Sequence, residues 1–174
     1  MKRFALTLAL AFSAAAVAAG GSGSATSKSS FQVFVAPTTS AASDGLTIET
    51  ELDGQFDVAS KTASGSGTFS IMNGSTVVES GTFTLTSLVA FQFYGCGQVD
   101  DMTLPPNFCG GRAIFAVHAT SSTGEQGDGL VEVNCQIHDP GGKTPAGTSE
   151  GVKVNARGIN FNKHVTGDNL LVML

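Results

Sequence analysis

Residues 66–95, SGTFSIMNGSTVVESGTFTLTSLVAFQFYG, decide the fold class. Asn73-Gly74 sits at the centre between two runs rich in Thr, Val, Leu and Phe. Asn-Gly flanked by alternating apolar residues predicts a tight β-hairpin, here through a type I′ turn, whose two central residues both need positive φ. On the second arm Phe83, Leu85, Ser87, Val89, Phe91 and Phe93 share one parity, and residues two apart point to the same face of a strand. A strand over 82–94 is long, so a bend or bulge is expected near Ser87.

The same alternation recurs in both directions. Phe31, Val33 and Val35 alternate with Gln32 and Phe34 until Pro37. Leu46, Ile48, Thr50 and Leu52 alternate with Thr47, Glu49, Glu51 and Asp53, which predicts a half-buried strand with an acidic outer face. Phe56-Asp57-Val58 reads as the start of another short strand after Asp53-Gly54. Further strands are expected over 112–120, 129–138, 151–163 and 170–174. Within 151–163 the apolar parity shifts from Val152, Val154 and Ala156 to Ile159 and Phe161, which predicts a bulge at Gly158. No helix-period segment of ten residues follows the N-terminal stretch. The pattern is all-β: a single antiparallel β-sandwich or small β-barrel of about 8–10 strands over residues 31–174. A lipid-embedded barrel is disfavoured, because such barrels carry aromatic girdles and this chain has one Tyr and no Trp.

The N-terminus reads differently. Lys2 and Arg3 precede the apolar run Phe4–Ala19, and Ala16-Val17-Ala18 fits a small-x-small cleavage site, so residues 1–19 are expected to be a secretory signal peptide. Residues 20–30, GGSGSATSKSS, have the composition of a flexible leader. The chain has nine basic and fourteen acidic residues. Without Lys2 and Arg3 the basic count falls to seven, for a net charge of about −7. That argues against nucleic acid and anionic membrane surfaces as partners, since both need a basic face. The expected localisation is secreted, extracellular or periplasmic, with no membrane association after cleavage.

Three cysteines in an oxidising compartment imply one disulfide and one leftover thiol. Val131, Val133, Cys135 and Ile137 share a face, which points Cys135 inward as a buried free thiol. Cys96 and Cys109 lie beside glycines at strand ends and form the expected pair.

Chemical motifs are few. No Gly-rich phosphate loop, G-x-S-x-G elbow, H-E-x-x-H helix or C-x-x-C pair occurs, and no catalytic residue, metal ligand set or cofactor is assigned. The stapled loop carries Asp100 and Asp101, and a tethered loop loses less entropy on binding. Glu132 and His138 share a polar strand face with Asn134 and Gln136 that could hold a sugar or a divalent ion, although the solvent face of an antiparallel strand is the preferred reading. Asp100, Asp101, Glu132 and His138 are therefore the candidate ligand-binding residues. Met102, Leu104 and Phe108 are expected to pack down on the sheet, and His164 to be exposed.

The leading expectation is a secreted, non-enzymatic binding or adhesion module with a protein or surface partner, since the scarcity of Tyr and Trp weakens a carbohydrate reading. One alternative is a structural subunit that self-associates by strand addition through Phe31–Val35 or Leu170–Leu174. Another is a hydrolase with a rim site pairing Asp100 or Asp101 with a histidine.

Overall fold

Period-two alternation becomes eleven strands in residues 30–174, the part of the chain that the computed structural model describes. They are β1 (Ser30–Ala42), β2 (Leu46–Asp57), β3 (Thr62–Asn73), β4 (Thr76–Cys96), β5 (Gln98–Val99), β6 (Met102–Thr103), β7 (Phe108–Ser121), β8 (Gln126–Cys135), β9 (Gly151–Ala156), β10 (Ile159–Thr166) and β11 (Asn169–Met173). The signal-peptide and leader readings fall on residues 1–29, outside the described residues; Ser30 already belongs to β1.

Strands β1, β2, β3, β4, β7, β8, β9 and β10 pair in that order, each antiparallel to the next, and β10 pairs back onto β1. The sheet therefore closes on itself as an eight-stranded up-and-down barrel, which resolves the choice between sandwich and barrel. β11 wedges into the seam. Phe31–Val35 of β1 pair with β11, and Thr39–Ala42 pair with β10. Leu171 and Val172 of β11 pair in turn with Cys109 and Phe108 of β7. Strands β5 and β6 make a small separate hairpin in the stapled loop.

Burial explains why the chain accepts this closure. Val33, Ala113, Phe115, Val133, Phe161 and Leu171 are fully enclosed. Outside, Glu49, Glu51 and Asp53 face solvent as expected. The apolar side is thus the inside, the reverse of a lipid-embedded barrel.

Several local expectations change. The hairpin over residues 66–95 is present, but Asn73 still pairs with Thr76, so the loop is Gly74-Ser75. Only Gly74 has positive φ there, at 60°, the pattern of a type II′ turn rather than type I′. Register breaks on β4 do occur beside Ser87, between Leu85 and Ser87 and again between Leu88 and Ala90. Together they turn Leu88 inward and leave Val89 half exposed. Phe56 and Asp57 continue β2 without interruption. The expected bulge at Gly158 is a chain reversal: Ala156 pairs with Ile159 across the two-residue turn Arg157-Gly158, whose φ values are 51° and 79°. A type I′ reversal of two residues shifts apolar parity in the sequence just as a bulge does.

The two barrel ends differ. At one, the connections are tight: 43–45, 74–75, 122–125 and 157–158. At the other lie the longer segments 97–107 and 136–150. Cys96 and Cys109 are disulfide-bonded there, directly opposite each other on β4 and β7. The stapled loop docks on the longer segment: Gln98 and His138 exchange backbone hydrogen bonds at 3.0 and 2.8 Å, and Asp139 Oδ1 accepts the Cys96 N–H at 2.9 Å. Gly95 lets this contact form, because at its φ of 125° a Cβ would lie 2.3 Å from the Asp139 nitrogen. Behind the staple, Phe31, Phe56, Phe91 and Phe93 cluster in stacked, tilted and edge-on pairs with centroids 5.0–6.2 Å apart and close that end.

Candidate functional site: the tight-turn mouth of the barrel

An eight-stranded barrel is just wide enough for side chains to fill, or to hold one small ligand. This one is filled along most of its length by Val, Leu and Phe. Near the tight turns the inward positions shrink: Ala119 on β7 faces Gly127 on β8, and Gly129 on β8 faces Ala156 on β9. All four line an apolar cavity of about 80 Å³ at the mouth. Its deeper wall includes Ile48, Phe83, Val117, Val131 and Val154, each buried.

One polar side chain interrupts that wall. Thr50 projects inward between Ile48 and Leu52 on β2 and is 2 % exposed. Its Oγ1 is buried and has no hydrogen-bond partner among the described residues. Ser121, also in the wall, is satisfied: its Oγ lies 2.8 Å from Thr123 Oγ1 and accepts the Glu125 N–H at 3.1 Å.

A strap of charge crosses the opening. Arg157, in the β9–β10 turn, reaches Glu79 on β4 at 3.2 Å and Glu125 in the β7–β8 turn at 2.9 Å. β9 and β4 lie on nearly opposite sides of the barrel, so the guanidinium spans the mouth. Asp128 stands beside it, paired on its outer side with His118 at 2.8 Å.

The residues expected to bind are elsewhere and are not gathered into one site. Asp100, at a φ of 47°, and Asp101 are exposed in the stapled loop. Glu132 pairs with Lys153 on β9 at 2.8 Å. His138 Nδ1 lies 2.9 Å from its neighbour's carbonyl, the Asp139 oxygen. None of these four bonds to another. The polar stripe from which Glu132 and His138 were read is partly covered rather than solvated: Asn134 is buried, accepts from Tyr94 at 2.8 Å and donates to the Ser149 carbonyl, while Gln136 donates to the Thr148 carbonyl at 3.0 Å. Among the described residues no group of three or more His, Cys, Asp or Glu is arranged to hold a metal ion. In the stapled loop Leu104 and Phe108 pack against the core, whereas Met102 stands out. His164 is only partly exposed, its ring filling the space where Gly151 lacks a side chain. Cys135 is buried and free, and burial, helped by the nearby Glu150 charge, pushes its thiol up to about 12.

Thr50 was visible as a polar residue on an apolar parity, and that was the available clue to the cavity. Arg157 was hidden because its turn read as a bulge.

Glu150 carries a prediction of its own. It joins the two ends of the long segment, its Oε2 accepting the Gln136 N–H at 2.7 Å. Burial, reinforced by Asp168, outweighs that bond and the one from the Asn169 N–H, and holds the carboxyl up to about 7. The native state therefore binds this proton more tightly than the unfolded chain does, and stability falls as pH rises from about 4.5 to 7 and stays lowered above it. Glu150→Gln should remove that dependence and stabilise the protein by on the order of 2 kcal/mol at pH 8, with little change at pH 4. Urea midpoints of both proteins across this range test it; parallel pH profiles would refute the assignment.

In comparison with known proteins, no family model, curated protein or solved structure matches the chain.

Proposed function

We propose that the protein is a secreted, non-enzymatic binding module that takes a small apolar molecule into the tight-turn mouth of its barrel. The observation that carries this reading is the asymmetry of the two ends. One is sealed by a phenylalanine cluster and a disulfide-anchored loop, while the other keeps an apolar cavity bordered by charge. Apolar walls with a few polar groups are the usual form of a small-molecule site. The Cys96–Cys109 bond suits an oxidising compartment, and among the described residues no helix is long and apolar enough to cross a membrane.

The other readings find less support. Phe31–Val35 is flanked by β2 and β11, and β11 by β1 and β7, so neither of the two segments considered for strand addition offers a free ladder. For a rim hydrolase, neither Asp100 nor Asp101 bonds to a histidine among the described residues, and the His118–Asp128 pair is well exposed on the outer surface, without the desolvated pocket that tunes a catalytic acid or base.

Titrating benzene into the protein while following methyl resonances by NMR tests the proposal. Ile48, Val117, Val131 and Val154 should shift, and Val33 and Val35 towards the sealed end should not. Ala156→Leu, which fills the cavity with three added carbons, should abolish the response while leaving the fold intact. A wild-type spectrum unchanged at saturating benzene would sink the idea.

A further inference from the structure

We propose that the ligand carries one neutral hydrogen-bonding group at its inserted end, and that Thr50 Oγ1 receives it; the inference rests on the cavity reading above. The buried hydroxyl lacks a partner among the described residues, which satisfy their other enclosed hydroxyls. Thr38, opposite Thr50 on β1, is committed to the Ala36 carbonyl at 2.8 Å, and Ser40 to the Val152 carbonyl. On the other side Thr50 faces Phe69, and along β2 its inward neighbours are Ile48 and Leu52, which offer no polar side-chain atom. A buried hydroxyl without a bond is costly, and native folds keep few of them. Because Thr50 stands in the cavity wall, an occupant with a hydroxyl or carbonyl can offer what the protein does not, since a threonine hydroxyl both donates and accepts.

The group should be neutral. The surrounding wall is apolar, so a buried charge would go uncompensated. The charged groups at the rim are already in use, with Arg157 engaged by Glu79 and Glu125, and Asp128 by His118. The cavity volume of about 80 Å³ limits the enclosed part to roughly one ring or a short alkyl chain. These constraints together describe a phenol-like or short-chain alcohol end rather than a hydrocarbon or a carboxylate.

Phenol and toluene are near-isosteric and differ at this one group, so they make the test. Dissociation constants for both are measured by methyl NMR on the wild-type protein, Thr50→Val and Thr50→Ser. Thr50→Val, matched in shape but without the hydroxyl, should weaken phenol about tenfold and leave toluene unchanged or slightly tighter. Thr50→Ser, which keeps the hydroxyl, should retain most of the phenol affinity. Thr50→Val should also melt higher than wild type without ligand, which shows that it folds. Equal effects on phenol and toluene, or no effect on phenol, would overturn the role of Thr50 while leaving the cavity as an apolar site. If neither compound perturbs the cavity methyls in any of the three proteins, the cavity reading fails and this inference with it.

Discussion

Phe115→Ala should lower the free energy of unfolding by about 3–5 kcal/mol. Phe115 is fully buried at the middle of β7, flanked by Leu88 on β4 and Val131 on β8. Its ring meets Phe56 edge-on at 5.4 Å, which ties the sealed end to the barrel centre. Truncation removes the apolar transfer gain, the aromatic contact and the packing around a void, and a closed barrel has little freedom to collapse into it. For a domain whose total stability is typically 5–15 kcal/mol, this is a large fraction. The urea midpoint should fall with the m-value unchanged. A loss below about 1.5 kcal/mol would show that the interior repacks, contrary to a filled core. The new void lies deeper than the mouth cavity, so benzene should restore part of the lost stability by mass action.

Removing the disulfide should cost about 3 kcal/mol, the second large effect. Cys96 and Cys109 are 13 positions apart, and the closed loop joins two strands that meet at the last pair of the β4–β7 ladder. The same loop carries the Gln98–His138 backbone pair and the Asp139 contact, so its release also loosens the lid formed by segment 136–150. Cys96→Ala/Cys109→Ala and dithiothreitol-treated wild type should agree. Cys135 should not complicate the comparison, being buried with its thiol held up to about 12. A difference below 1 kcal/mol would assign the loop's order to Asp139 and Gln98 instead of the sulfur bridge. Benzene binding at the opposite mouth should survive reduction in the fraction that remains folded.

Much of the fold was legible because parity is a local property. Val131, Val133, Cys135 and Ile137 alternate in sequence and are all buried in the structure, and the cysteine pairing followed from that alternation. Parity does not distinguish a bulge from a reversal, since either moves the apolar set by one position. Gly158 therefore read as a kink in one strand when Arg157-Gly158 is the turn between two. On β4 the register break between Leu85 and Ser87 brings Leu88 inward, a choice made by what packs against it rather than by its own neighbours. The polar stripe at Glu132, Asn134 and Gln136 read as a solvent face because the segment that covers it, 136–150, has no pattern of its own. The cavity was the least legible feature. It is a deficit of volume, produced when Ala119, Gly127, Gly129 and Ala156 from three strands meet, and no single stretch of sequence contains that meeting.

The seam at β1 has a kinetic consequence. Thr38 meets the Asp168 carbonyl across 130 positions, and β1 is completed only by β10 and β11. The first of the described strands to be made is thus the last to find its second neighbour. Until then its backbone edge and its Val33 and Val35 side chains have no shelter on that side. Barrels dominated by such distant pairings fold in milliseconds to seconds rather than microseconds. Over that interval the unclosed edge is a template for a neighbouring chain, so newly made copies are best kept apart until the last strand arrives.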